Sequence, residues 1–215
     1  MSGHESVLIL GAGGHARVVL DILLLQGQRY DVIGLTDPDS ARHGERIRGV
    51  EIAGDDSVLE ELDIGTAGAI VAVGDNGLRR SLGERCVELG IPLVNAIHPR
   101  AWVSEDAYLG SGVAIMAGAV VNCGSKIADG VIVNTGASVD HDCTIGAYAH
   151  IGPGANLAGW VRVDDEAQIG VGASVIPGIA VGARAVVGAG GTVIRDVPSE
   201  AVVVGVPARL MRART

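Results

Sequence analysis

From Val103 to Pro198 the chain divides into sixteen consecutive six-residue blocks with no insertion, and every block begins with Val, Ile or Leu. The blocks run VSEDAY, LGSGVA, IMAGAV, VNCGSK, IADGVI, VNTGAS and onward to VGAGGT and VIRDVP. The fifth position is small or β-branched throughout, and Gly recurs at the second and fourth. So strict a period admits few folds, because each unit must bury the same face against its neighbours. Each block reads as a short strand plus a corner. The aliphatic first residue points inward, the small fifth residue fits beside it, and Gly permits the corner dihedrals. Three blocks close one triangular coil of eighteen residues, and coils stack at the inter-strand spacing of about 4.8 Å. The sixteen blocks therefore predict a parallel β-helix of about five coils.

Composition suits a narrow aliphatic interior. Hydrophobic residues make up 48% of the chain but aromatics only 2%, with no Phe, so Val, Ile, Leu and Ala must fill the core. The 33 glycines follow no Gly-X-Y period, which excludes collagen, and the aliphatic content excludes disorder. A net charge of -9 argues against a broad nucleic-acid-binding surface. Cys86, Cys123 and Cys143 are odd in number and lack CxxC spacing, so neither a disulfide framework nor a thiolate zinc site is indicated. Asp21 interrupts the apolar run Val18 to Leu25, so no signal peptide or membrane span can be drawn. A soluble, cytoplasmic protein is expected.

The chain changes character near residue 97, which predicts a domain over 1–97 and a second over 98–215. Residues 6–97 read as a small Rossmann-like βαβ unit. Strands are expected at Val7–Leu10, Val32–Leu35, Ile70–Val73 and Leu93–Ala96, with helices after the first strand and over Arg79–Leu89. Gly11, Gly13, Gly14 and His15 belong to a glycine loop of the phosphate-binding kind, with a helix N-terminus facing an anion. A purely structural turn fits the same residues. The unit is too short for both halves of a dinucleotide fold, so one nucleotide or a nucleotide-sugar is the better ligand. Asp37 follows the second strand, where a carboxylate can meet a ribose or base edge; Thr36-Asp37-Pro38-Asp39 is also ordinary turn chemistry.

Three of the six His lie beyond residue 97: His98, His141 and His150. His98 precedes Pro99 at the junction, where a structural role suffices. His141 holds the third, outward-facing position of the block VDHDCT, and eighteen residues on stands Gly159. A base beneath a bare backbone amide is what acyl transfer needs, since one takes a proton and the other stabilises an oxyanion. Asp142 either orients the imidazole or is a solvated acid. Asn134 lies near the preceding corner.

With the segments Gly11–Ala16, Asp37, Gly74-Asp75-Asn76, Ile97-His98-Pro99, Val139-Asp140-His141-Asp142 and Gly205-Val206-Pro207-Ala208-Arg209, the chain resembles the hexapeptide-repeat nucleotide-amino-sugar acetyltransferases. The resemblance implies a left-handed coil, opposite to the usual crossover, and a homotrimer with the acetyl-CoA cleft between neighbours. It implies His141 as base, Asp142 as its support and Gly159 as the amide that binds the thioester oxygen. It further implies acetyl-CoA contacts from His150, Gly159, Val171, Ala189 and Arg209. The acceptor, a nucleotide-linked dideoxy-amino-sugar such as GDP-perosamine, would be acetylated at C4 and held by Gly11, Gly13, Gly14, His15, Asp37, Gly74, Asn76 and Asn134. Arg209, Arg212 and Arg214 form a basic tail suited to coenzyme A phosphates; a solvated terminus explains them equally. No metal is implied, and a zinc hydratase would need a third converging histidine. Sugar O-acetylation and a non-catalytic sugar-nucleotide module remain as alternatives.

Overall fold

The computed structural model describes residues 5–27, 29–62 and 67–211. The chain forms two compact units, residues 1–99 and 100–215.

The N-terminal unit is built on a five-stranded sheet. Its strands are β1 (Glu5–Leu10), β2 (Tyr30–Thr36), β3 (Arg46–Ile47), β4 (Val50–Gly54) and β5 (Ala67–Val71), in the order β3-β4-β2-β1-β5. Strands β4, β2, β1 and β5 run parallel, whereas β3 is antiparallel to β4. This hairpin edge departs from the all-parallel expectation: Arg48-Gly49, both at positive φ, make a tight turn that returns the chain beside itself. Helix α1 (Gly14–Leu25) buries Ala16, Val19, Leu20, Ile22 and Leu23. Helix α2 (Asn76–Glu88) starts three residues before the sequence expectation, because Asp75 caps it by accepting the Leu78 N–H at 2.8 Å. The fourth strand expected over Leu93–Ala96 shrinks to a single bridge between Leu93 and Ala69, with a two-residue strand at Ala96–Ile97. Pro92 has no N–H to extend that ladder and contributes only its carbonyl, to the Ala69 N–H at 2.9 Å.

The second unit is the β-helix that the hexads predict. Two-residue strands pair in parallel with the strand eighteen residues on, as Val120 with Ser138 and Thr144 with Arg162. Three faces result. Face 1 holds the strands from Trp102–Val103 to Thr192–Val193, face 2 those from Tyr108–Leu109 to Ala180–Val181, and face 3 those from Ala114–Ile115 to Val186–Val187. From Ile115 onward the first residue of every block is buried; Val103 and Leu109 are half-buried. The coil ends in a hairpin, Val202–Val204 against Arg209–Leu210.

The two glycine positions do different work. The fourth residue of each block from Gly112 to Gly190 has positive φ, the left-handed corner that lets the chain turn within a few residues. The second residue lies against the next coil: a Cβ on Gly152 would sit 2.5 Å from the Ile169 carbonyl oxygen. Cys86 and Cys143 are buried, which pushes both thiols up to about 11, whereas Cys123 is exposed. Among the described residues no helix is long and apolar enough to cross a membrane.

Gly152→Ala should therefore lower stability by about 1–3 kcal/mol through overpacking. Gly154→Asn, at an open corner with φ +64°, should cost less than about 1 kcal/mol because Asn accepts that conformation. Denaturation midpoints of the two variants compare them directly. At pH 8 iodoacetamide should label Cys123 in the folded protein and leave Cys86 and Cys143 unmodified until denaturant is added, as read by peptide mass.

Candidate active site

His141 sits at the corner between faces 1 and 2. Its backbone is fixed from within the same turn, as its N–H donates to Asp140 Oδ1 at 2.8 Å. Asn122 Nδ2, one coil earlier, donates to the same oxygen at 2.9 Å. These two donors hold the Asp140 carboxyl below the usual carboxylate range. Asp142 follows at φ +57°, an unusual conformation that Asp tolerates. The turn brings its Oδ2 to 3.0 Å from His141 Nδ1. Because a carboxylate only accepts, Nδ1 carries the proton of this contact, which in a neutral ring leaves the lone pair on Nε2. Both side chains stay substantially exposed, at 38% and 50%.

Gly159 lies over the imidazole as the eighteen-residue register requires. A Cβ there would fall 2.5 Å from Cε1 and 2.6 Å from Nε2 of His141, so only glycine leaves room for this ring. Gly159 N–H has no acceptor among the described residues. Where an Asp stands at the third position it caps the amide one coil below, as Asp165 does for Ala147 at 2.9 Å and Asp129 for Ser111 at 2.8 Å. Above Gly159 the position is filled by Pro177, which has no such side chain. A basic nitrogen and an open amide donor thus stand together on the surface. Beside them a groove of about 490 Å³ runs along face 1, lined by Asn122, Ser138, Asp140, Asn156 and Ser174.

Asn134, His150, Val171 and Ala189 lie elsewhere on the coil. Asn134 Nδ2 donates to His150 Nε2 at 3.0 Å, with His150 on face 3 and Asn134 just past it. Val171 and Ala189 stack eighteen residues apart along the corner between faces 3 and 1, and Val171 is exposed. All five fourth-position residues of that corner are glycine, from Gly118 to Gly190, so its edge is smooth. His141 and His150 are half a coil apart, and one chain does not unite the two clusters. Arg209 is exposed in the terminal hairpin, beside a cavity of about 210 Å³ that Arg195 and Pro198 also line. Arg212 and Arg214 lie outside the described residues.

In the N-terminal unit, the loops after β1, β2 and β5 share the carboxyl ends of three neighbouring parallel strands, the usual ligand position in such sheets. Gly11 (φ +110°) has a structural need for glycine, since a Cβ would meet the Ala72 carbonyl oxygen at 3.1 Å. Gly13, Gly14 and Gly74 face open space. Their lack of side chains serves no packing and leaves the helix N-terminus uncovered. His15 is half-buried in the first turn of α1. Asp37, 9% exposed, accepts the Asp39 N–H at 2.9 Å and is ion-paired with Arg42, which also reaches the Ala12 carbonyl. Asn76 Oδ1 accepts from Arg79 Nη2 at 2.8 Å, and the buried Arg79 also donates to the Val73 carbonyl at 3.0 Å. A cavity of about 490 Å³ in this unit is lined by Arg17, Asp21, Arg46 and Arg48 and includes none of the glycine-loop residues.

Comparison with known proteins agrees with this geometry. Residues 6–86 match the family described as the PglD N-terminal domain, and residues 124–159 the bacterial transferase hexapeptide (six repeats). GDP-perosamine N-acetyltransferase of Escherichia coli O157:H7 is 29% identical over 161 residues, covering 73% of this chain and 71% of that protein. The acetyltransferase domain of PglB from Neisseria gonorrhoeae FA1090, solved with acetyl coenzyme A, is 39% identical. It superposes with a TM-score of 0.92, covering 97% of this chain and 100% of that one. PerB from Caulobacter crescentus, solved with CoA and GDP-perosamine, is 47% identical with a TM-score of 0.88, covering 96% of this chain and 97% of that one. The chain belongs to the hexapeptide-repeat nucleotide-amino-sugar acetyltransferases.

For an acetyltransferase of this family, sequence reasoning overlooked three side chains. Arg42 and Arg79 pin the loops of the N-terminal unit, and nothing in local spacing announces either. Trp160 stands edge-to-face with His141, ring centroids 4.5 Å apart at 90°, a pair geometry worth about 0.5–1.5 kcal/mol. Its eighteen-residue offset from Asp142 was the available signal. Gly159→Ala should displace the imidazole, because the new Cβ would fall 2.5 Å from its Cε1, while the melting temperature changes little. A crystal structure of that variant would show the rotated ring.

Proposed function

We propose that this chain transfers an acetyl group from acetyl-CoA to the C4 amine of a nucleotide-linked dideoxy-amino-sugar, with GDP-perosamine as the first acceptor to test. One observation carries the reading: His141 Nε2 and the open Gly159 amide share one surface corner in a chain similar over 97% of its length to an acetyltransferase domain solved with acetyl-CoA. The nucleotide and sugar follow PerB, which was solved with CoA and GDP-perosamine.

In this mechanism the neutral amine attacks the thioester carbonyl carbon, and the carbonyl oxygen gains negative charge. The Gly159 N–H donates to that oxyanion. His141 Nε2 takes the proton the amine sheds, while Asp142 on Nδ1 holds the ring in the required tautomer and stabilises the imidazolium. The C–S bond then breaks, and the CoA thiolate receives the proton from His141. The coenzyme runs along the smooth glycine corner past Val171 and Ala189, with His150 beside the acetyl group and Arg209 near the phosphates. In the N-terminal unit, the Gly13 and Gly14 amides receive the diphosphate, and Asp37 and Asn76 serve the nucleotide.

The division of the two clusters supports a homotrimer. His141 and His150 lie half a coil apart, so joining base to coenzyme requires a second copy. Such a contact pairs two different patches, and a contact of this kind closes into a ring only if its rotation does.

His141→Ala should lower kcat by about a hundredfold, the usual range of general-base assistance being about 10²–10⁴. A loss below about fivefold from pH 6 to 9 would reduce His141 to a positioning role. Gly13→Val, whose Cβ would have nothing within 4 Å, should raise KM for GDP-perosamine and leave that for acetyl-CoA unchanged. The reverse would reverse the ligand assignment of the units. A panel of GDP-, UDP- and CMP-linked sugars with acetyl-CoA settles the acceptor, and sedimentation showing a monomer at micromolar concentration would refute the trimer.

A further inference from the structure

The corner that carries His141 departs from glycine at two successive fourth positions. Its left-handed residues read Gly124, Asp142, Trp160 and Gly178, each eighteen residues from the next. Glycine is the residue that conformation favours, and a bulky side chain there is strained. Both exceptions touch the same ring: Asp142 Oδ2 meets Nδ1 at 3.0 Å, and the Trp160 indole stands perpendicular to the imidazole at 4.5 Å. The glycine below Asp142 makes room for it, whereas the one above Trp160 is not crowded. A Cβ on Gly124 would fall 2.5 Å from Asp142 Oδ1, and a Cβ on Gly178 would meet nothing within 4 Å. Trp160 is also 63% exposed, so core packing does not account for a large indole at this place. Its backbone N–H donates to the His141 carbonyl at 3.1 Å, but Asp142 makes the equivalent bond to Cys123 at 2.9 Å, so that bond needs no particular side chain.

We propose that Trp160 is a positioning residue: its ring fixes the His141 imidazole in the orientation that presents Nε2 beside the Gly159 amide. The argument rests on the reading of His141 as the base. Gly159 limits the ring on one side and Asp142 anchors Nδ1. Rotation of the solvent-exposed imidazole about its remaining torsion is opposed by the indole. Without it the ring samples other rotamers, and the fraction of enzyme poised to accept a proton falls.

The test is Trp160→Gly and Trp160→Phe, alone and with His141→Ala, assayed with GDP-perosamine and acetyl-CoA. Trp160→Gly installs the residue the corner favours, so melting temperature should hold or rise. Its kcat should fall by about ten- to a hundredfold, as expected for loss of alignment, with KM for acetyl-CoA within about twofold. Trp160→Phe should recover most of the rate, and in the His141→Ala background Trp160→Gly should have no further effect. Nitrogen-detected NMR of the imidazole supplies a readout independent of turnover: one tautomer, protonated at Nδ1, in the parent and averaged signals in Trp160→Gly. Unchanged kcat, an equal loss in the His141→Ala background, or unaltered imidazole signals would overturn the proposal. Failure of the base reading shows separately, as undiminished activity in His141→Ala alone.

Discussion

Everything on the β-helix surface depends on the parallel pairing of each strand with the one eighteen residues later. The pairing holds only because the corners from Gly112 to Gly190 turn in a left-handed residue and because second-position glycines let one coil approach the next. Once that register is set, a side chain's neighbours above and below are known from its number. Cys123, His141, Gly159 and Pro177 form one such column, and its chemistry follows from which member lacks a side chain. The imidazole needs Gly159 above it for space, and that glycine amide stays available because no Asp stands one coil further to cap it.

The same regularity keeps the parts of the site apart. Face 3 and its glycine corner carry Asn134, His150, Val171 and Ala189, whereas His141 belongs to the corner on the opposite side of face 1. A rigid prism cannot fold these patches onto each other. A uniform scaffold thus holds each patch on rigid elements, where side-chain placement can be exact to a fraction of an ångström.

The N-terminal unit places its residues by another logic. Its loops are irregular, and two arginines hold them: Arg42 ties Asp37 to the Ala12 carbonyl, and Arg79 ties Asn76 to the Val73 carbonyl. Planar guanidinium groups suit this work because each offers several donors in a fixed geometry. Asp37 is therefore not a solitary acid awaiting a ligand. It enters any ligand site already paired, with its remaining lone pairs directed by Arg42 and the Asp39 N–H.

Reading the residues alone was enough for the coil, its period, the burial of Ile115 and its successors, and the stacking of Gly159 on His141. Those features repeat at a fixed interval, so arithmetic on residue numbers reaches them. The glycine loop and the end of β2 were also visible, because turn residues act within a few positions of themselves; the start of α2 was set three residues late, the Asp75 cap having gone unread. The hairpin Arg46–Gly54 and the loss of the strand after Pro92 were not, since edge pairing depends on what lies beside a segment in space. Trp160 against His141, Arg42 on Asp37 and the burial of Arg79 likewise came only with the tertiary structure. Each depends on a side-chain direction set by a particular backbone conformation and by neighbours distant in sequence. A six-residue period specifies where a residue stands and leaves open which way its side chain turns.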